Sequence, residues 1–193
     1  RLGRGDVPAF LLESVVGGDR VGRYSFLGRG PAEKLSASTG GDVVLERDGR
    51  SERLDGGFFQ ALARRLEALR PASLPGLPPL TGGAVGYVGY DGVRWIERLP
   101  DRHARENALA DAQFHFYDTI VAFDHAKHRL YLIANVRVEK GGGGRARLER
   151  AYADAERRLD EVEGALARPL PRFEIPQALE ALPRASVADG MRS

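Results

Sequence analysis

Alternating hydrophobic and polar residues predict that the first quarter of this chain is antiparallel β-structure. Two apolar runs, 10–15 and 23–27, flank a turn with three glycines and an aspartate, which is typical of a β-hairpin or bulged loop. Further alternating runs at 32–38, 42–48 and 51–54 are separated by turns that contain glycine. The pattern therefore predicts a meander of antiparallel strands over this part of the chain.

Two later segments change to the helical period. In 57–70 and in 145–167, apolar residues recur every three or four positions and charged residues lie between them, as in an amphipathic helix. Pro71 ends the first helix and begins a proline-rich linker that extends to Pro79, and Pro169 stops the second helix. We expect both helices to cover a sheet.

The most regular alternation lies between these helices. Segments 113–123 and 129–138 are rich in aromatic and β-branched residues, and the five residues 124–128 connect them as a hairpin loop. The chain is thus predicted to have an α+β fold. Its strands are mainly antiparallel and form a sandwich or a strongly bent sheet, with the two amphipathic helices packed against it.

Polar residues in the first hairpin do not fit a plain core strand. Alternation places a serine on an aromatic face and a glutamate on an aliphatic face, and a buried polar group without a partner costs about 1–3 kcal/mol. The return strand adds a cation, hydroxyls and aromatic rings. Together these groups could hold a zwitterionic aromatic amino acid, with an acceptor for the ammonium, donors for the carboxylate and aromatic walls. The candidate ligand-binding residues are Glu13, Ser14, Arg23, Tyr24, Ser25 and Phe26.

A glycine-dense segment, 81–95, precedes the last two strands. It contains neither GxGxxG nor GxxxxGK[ST], so its spacing fits neither common phosphate cradle. We interpret it as a strand whose glycines admit another backbone or side chain at close range, with Tyr87 and Tyr90 covering the gaps. Asp91 is predicted to cap a short helical turn at 92–97.

Composition excludes several function classes. The 29 Lys and Arg residues balance 27 Asp and Glu, giving a net charge of +2 without a block of like charge, so no nucleic-acid partner is expected. The absence of cysteine excludes disulfide and thiol chemistry. No apolar run approaches the roughly 20 residues of a membrane span, and we expect a soluble, cytoplasmic protein without a membrane partner. His125 and His128 lie in a tight loop without nearby carboxylate or cysteine spacing, so no metal site is predicted.

Four separated strings carry a family resemblance: LLES, GRYSF, GGAVGYVGYD and FYDTIVAFDHAKHRLYLIANV. In this order, over about 10–170, they resemble the N-terminal domain of anthranilate synthase component I, a family of chorismate-utilising enzymes. The resemblance implies that the LLES serine and its neighbours bind L-tryptophan, the feedback inhibitor. It also implies an N-terminal-like domain at 1–170, followed by a tail, or the start of a missing catalytic domain, at 171–193.

In the resembled family, chorismate chemistry takes place in a second, C-terminal domain, where Mg²⁺ is expected. We therefore expect no cofactor in this chain and no catalysis by it alone. The implied partners are that catalytic domain and a glutamine amidotransferase subunit, and a homo-oligomer is left open. The glycine-dense segment lies close to the domain junction in the family. Its predicted interface residues are Gly83, Gly86, Tyr87, Gly89, Tyr90 and Asp91.

Two alternatives stay open at this point. The chain could instead be part of an aminodeoxychorismate synthase component I, or a stand-alone interaction module without a ligand. The second alternative would use the glycine-dense segment and exposed sheet edges, because unpaired strand edges readily accept a partner.

Overall fold

The computed structural model describes residues 7–13, 22–69, 72, 74–100, 109–138 and 144–169. Within these ranges the chain forms nine strands, two α-helices and a short 3-10 helix. The strands are β1 (Ala9–Leu12), β2 (Tyr24–Arg29), β3 (Glu33–Ala37), β4 (Val43–Arg47), β5 (Arg50–Leu54), β6 (Gly83–Val88), β7 (Ala112–Tyr117), β8 (Thr119–Asp124) and β9 (Arg129–Ala134). The helices are α1 (Phe58–Ala68), the 3-10 helix (Tyr90–Trp95) and α2 (Gly144–Ala167).

The strands form two antiparallel sheets. One has the order β1-β2-β8-β9 and the other has the order β5-β4-β3-β7-β6. This arrangement confirms the predicted α+β class. The predicted meander is only partly right, because β1 and β2 pair with each other while β3, β4 and β5 belong to the other sheet. Gly30, with φ of 68°, and Pro31 lie where the chain leaves the first sheet.

The run 113–123, predicted as one strand, is two strands that lie in different sheets. β7 ends at Tyr117, β8 begins at Thr119, and Asp118 lies between them outside both ladders. The carbonyl oxygen of Asp118 accepts a hydrogen bond from the backbone N–H of Asn135 at 2.7 Å, and its carboxylate pairs with Arg137 at 2.9 Å. Contacts from a distant segment thus interrupt a strand that local alternation extends without a break.

The main core lies between α1 and the five-stranded sheet. Phe58 and Ala61 of α1 are buried against a layer of apolar residues from the sheet. That layer comprises Leu35, Ala37, Val43, Ala112 and Phe116. Trp95, at the end of the 3-10 helix, stacks on Phe58 with ring centroids 5.2 Å apart. The apolar stripe of α1 therefore packs as predicted, although its member Leu66 stays exposed.

One charged side chain, Glu33, is buried at the edge of this core. Arg65 of α1 and Arg137 of the segment after β9 both donate to its carboxylate, and Arg47 lies 3.7 Å away. Arg137 also pairs with Asp118. Because β3 belongs to one sheet and β9 to the other, this network connects the two sheets.

α2 packs along β9. Arg158 anchors it by donating to the hydroxyl oxygen of Thr119 at 2.9 Å and to the carbonyl oxygen of Asn135 at 3.0 Å. Only part of its apolar stripe is covered: Ala155 is buried, whereas Leu148 and Tyr152 are 51% and 61% exposed. No helix within the described ranges has both the length and the apolar character that crossing a membrane requires.

Candidate functional site

The first hairpin brings several candidate ligand residues together. β1 and β2 pair in a register that sets Leu12 opposite Phe26, and Glu13 follows Leu12 directly. Glu13 is exposed, and continuation of this register would place it next to Ser25 of β2. Ser14 lies outside the described residues. The predicted pairing of these two strands is thus confirmed.

Tyr24 and Phe26 form a small aromatic surface on one face of the four-stranded sheet. Their ring centroids lie 5.8 Å apart and the rings are stacked, as expected for residues two apart on a strand. The guanidinium of Arg23 lies 4.8 Å from the centroid of the Tyr24 ring, which is cation–π geometry. Both rings are half-buried. The sequence left the register of these side chains open, and the structure places both rings on the same face.

Arg23 pairs with Asp124, the last residue of β8, which lies directly opposite Tyr24. Its Nε donates to Oδ1 at 3.0 Å and its Nη2 donates to Oδ2 at 2.7 Å. These bonds lower the pKa of Asp124 to about 2 against the opposing effect of burial, and the backbone N–H of Lys127 contributes. Asp124 therefore orients Arg23 in this structure.

Ser25 points to the opposite face of the sheet from the aromatic surface. It is only 4% exposed, and its Oγ forms a hydrogen bond with Nε2 of His125 at 2.7 Å. The His125 ring in turn stacks on Phe123. His125 is exposed, yet its ring is hydrogen-bonded to the buried hydroxyl of Ser25. Sequence reasoning missed Asp124 and His125 because only the β2–β8 register reveals their partners.

Several cavities on the described surface open elsewhere. Four of them, of about 560, 400, 310 and 390 Å³, lie beside α1, beside α2 and at the β4–β5 turn. None of the five described candidate residues lines any of these four cavities. The described candidate residues therefore lie outside these four cavities, on or next to β1 and β2.

The predicted interface segment forms β6, an edge strand of the five-stranded sheet. Gly86 permits a close approach to β7, since an added Cβ would lie 2.0 Å from the carbonyl oxygen of Gln113. This confirms the interpretation of a strand with close backbone contact. Tyr90, however, is 92% exposed and covers no gap. Asp91 is not the cap, because Gly89 occupies that position and Asp91 accepts a hydrogen bond from Arg94 at 3.0 Å.

Within the described ranges, no three or more His, Asp or Glu side chains lie close enough together to hold a metal ion.

The sequence profile of the family described as chorismate binding enzyme matches residues 8–178. The chain belongs to the chorismate binding enzyme family.

Several proteins named anthranilate synthase component 1 are similar to the chain. Anthranilate synthase component 1 of Acetivibrio thermocellus is 33% identical over 153 residues, which is 79% of this chain and 30% of that protein. The Synechocystis protein of the same name is 37% identical over 163 residues, 84% of this chain and 32% of that protein. The protein from Mycobacterium tuberculosis H37Rv is 39% identical over 165 residues, with coverage of 84% and 32%.

The fold matches a solved structure as well. The crystal structure of anthranilate synthase component I from Streptococcus pneumoniae TIGR4 aligns with a TM-score of 0.60 and 24% identity. The alignment covers 87% of this chain and 33% of that chain. This chain spans about a third of the length of the curated relatives that it matches. The family match extends over residues 8–178 and does not test where a domain ends. The division into a domain at 1–170 and a tail at 171–193 therefore stays a prediction.

Proposed function

We propose that this chain is the L-tryptophan-binding regulatory part of a protein related to anthranilate synthase component 1. Family membership and the shared name of the similar proteins support the relationship. The observation that carries the ligand assignment is the β1–β2 pairing. It brings Glu13 beside a strand on which a guanidinium covers one of two stacked aromatic rings.

The indole ring and the carboxylate of a bound tryptophan have counterparts on this surface. The stacked rings of Tyr24 and Phe26 offer the indole an aromatic wall. Arg23, one third exposed, offers hydrogen-bond donors and charge to the carboxylate. Glu13, which is exposed and follows the last paired residue of β1, is proposed to accept from the ammonium, and Ser14 is proposed to bind the polar end of the ligand. Ser25 supports the surface from behind, because its hydroxyl bonds to His125.

In this proposal the catalytic and partner functions of the whole protein lie largely outside this chain. A separate catalytic domain would convert chorismate to anthranilate with Mg²⁺, and a glutamine amidotransferase subunit would supply ammonia, in the cytoplasm. The contact with that catalytic domain would use β6 and the residues that follow it. The edge strand β6 contains no charged residue, and the side chains of Tyr87 in β6 and of Tyr90 just after it are exposed. The proposed interface residues remain Gly83, Gly86, Tyr87, Gly89, Tyr90 and Asp91.

Isothermal titration calorimetry of the chain with L-tryptophan tests the proposal. We expect saturable binding that is lost in Ser14→Phe, because a bulky ring fills the ligand position, and kept in the matched control Ser51→Phe. Ser51 is exposed on the edge strand β5, away from the first hairpin. Absence of binding by the unaltered chain would overturn the proposal. If the unaltered chain did not bind L-tryptophan but formed a stable dimer in light scattering, the hypothesis of a stand-alone interaction module would replace this proposal.

A second candidate is that the chain itself binds and converts chorismate. The observation in its favour is that the matching family is described by chorismate binding and that the match extends over residues 8–178. Ammonia-dependent formation of fluorescent anthranilate from chorismate and Mg²⁺ by the isolated chain would establish this candidate. An aminated product without release of pyruvate would favour the aminodeoxychorismate branch.

A further inference from the structure

The turn between β8 and β9 holds two polar side chains of the β2 region, and the proposed binding surface does not itself use this turn. Asp124 ends β8 and His125 begins the turn. Asp124 pairs with Arg23, and His125 bonds to Ser25. A backbone bond from the N–H of His125 to the carbonyl oxygen of Arg23, at 2.8 Å, joins the same two segments. Three contacts therefore tie this turn to the start of β2.

The pair of Arg23 and Asp124 fixes the direction of the guanidinium. The two parallel hydrogen bonds occupy Nε and one hydrogen of Nη2, and the carboxylate is 1% exposed, so it has little freedom to move. The N–H of Lys127 donates to the same carboxylate at 3.1 Å and holds it from the turn. Among the described residues no contact uses Nη1 of Arg23. The pair thus leaves that edge of an already oriented guanidinium available to an anion, which reduces the ordering cost of binding.

Ser25 receives a comparable support from the other face. The residues on either side of it, Tyr24 and Phe26, carry the aromatic surface, whereas its own hydroxyl is buried against His125. Because neighbouring residues on a strand face opposite ways, a bond at Ser25 limits the twist and height of the strand at both rings. His125 therefore acts on the ring positions through the backbone of β2.

We propose that Asp124 and His125 are positioning residues of the tryptophan site: Asp124 aims Arg23 at the ligand carboxylate, and His125 holds β2 through Ser25. This inference rests on the proposed function, since it gives the turn a role in the binding of the same ligand. Neither residue touches the ligand in this scheme.

Asp124→Asn separates positioning from folding. Asparagine keeps the shape of the side chain but offers only one acceptor oxygen, so the two-point grip on Arg23 is lost. We expect the Kd for L-tryptophan to rise about tenfold or more, as the loss of one oriented, charge-assisted hydrogen bond implies. The Kd for tryptamine, which keeps the indole and the ammonium but lacks the carboxylate, should stay within about twofold. Asp48→Asn is the matched control, because it removes an exposed carboxylate beside Arg47 far from the site, at a positive φ that asparagine tolerates.

A second pair of variants tests the histidine. His125→Asn is too short to reach Ser25 and should weaken binding of L-tryptophan and tryptamine alike, whereas His125→Gln, whose amide can replace Nε2, should restore it. His128→Asn is the control in the same turn, since its positive φ of 50° also suits asparagine. Thermal unfolding of every variant is measured in parallel.

The outcomes separate the two proposals. If the unaltered chain does not bind L-tryptophan, the proposed function fails and the positioning role fails with it. If it binds and Asp124→Asn changes neither Kd, only the positioning role of Asp124 is wrong. Equal losses for both ligands in Asp124→Asn show that Asp124 is merely structural, and failure of His125→Gln to restore binding overturns the role of His125.

Discussion

At the scale of single residues, two buried carboxylates organise this molecule. Asp124 and Glu33 are 1% and 2% exposed, and each is held by arginines from elements distant in sequence. Burial alone raises the pKa of Glu33, but the hydrogen bonds and charges of Arg65 and Arg137 outweigh it and lower the pKa from 4.5. Both carboxylates are therefore ionised at neutral pH, and their removal takes a counter-charge from each of these arginines.

We expect Glu33→Ala to destabilise the fold by about 3–5 kcal/mol, because it removes the carboxylate partner of Arg65 and leaves Arg137 with Asp118 as its counter-charge. The control is Glu46→Ala, which breaks a pair with Lys34 at 3.0 Å that is one third or more exposed on both sides. Such a pair contributes about 0–1 kcal/mol. Urea unfolding of both variants measures the difference, and equal midpoints would show that the Glu33 network adds nothing to stability.

At the scale of elements, β6 depends on a glycine that has no room for a side chain. A Cβ on Gly86 would lie 2.0 Å from the carbonyl oxygen of Gln113 and 2.6 Å from the Cα of Phe114, and both are backbone atoms of β7. We expect Gly86→Ala to push β6 from β7 and to destabilise the chain by about 1–3 kcal/mol. Gly164→Ala is the control, since Gly164 lies in α2 with nothing near its Cβ position.

In a thermal-unfolding series, the two alanine variants should move in opposite directions. Gly164→Ala should stabilise by about 0.5–1 kcal/mol, because alanine is the better helix former. If the Gly86→Ala variant unfolded at the same temperature as the parent chain, β6 would be able to shift without cost. The close approach of β6 to β7 would then contribute nothing to stability.

The elements themselves could largely be predicted from the sequence, because their information is local. The helical period predicts α1 and α2, and alternation with turn glycines predicts β1 to β5 and the β8–β9 hairpin. The break at Asp118 could not be predicted, since it depends on Asn135 and Arg137, which are 17 and 19 residues away. Unusual polar residues marked Glu13 and Arg23 as candidates. The partner of Arg23, Asp124, could not be identified, because the pairing of β2 with β8 is not visible in the sequence of a single strand.

At the scale of the whole molecule, ion pairs connect the two sheets and the first hairpin. Glu33 of β3 and Asp118 share Arg137, which follows β9, and Asp124 of β8 holds Arg23 before β2. The ion pairs of Arg137 with Glu33 and Asp118 thus join the two sheets, whereas the pair of Arg23 and Asp124 joins the first hairpin to β8 within one sheet. The stability of these ion-paired connections should accordingly depend on pH more than the stability of the apolar core under α1 does.

We expect the fold to lose stability steeply as the pH falls from about 4.5 towards 2. The pKa of Glu33 is lowered from 4.5, and that of Asp124 from 3.8 to about 2, so both bind protons more weakly when folded than when unfolded. Their contributions are complete above the unfolded pKa values and disappear as the pH falls through the folded ones. Urea midpoints measured from pH 7 to pH 2.5 test this, with Glu33→Gln as the comparison. The glutamine variant should be less stable than the parent at pH 7 and should lose less stability on acidification, because one of the two protonations no longer occurs. Parallel pH profiles for the parent and the variant would assign acid sensitivity to other groups and remove Glu33 from this account.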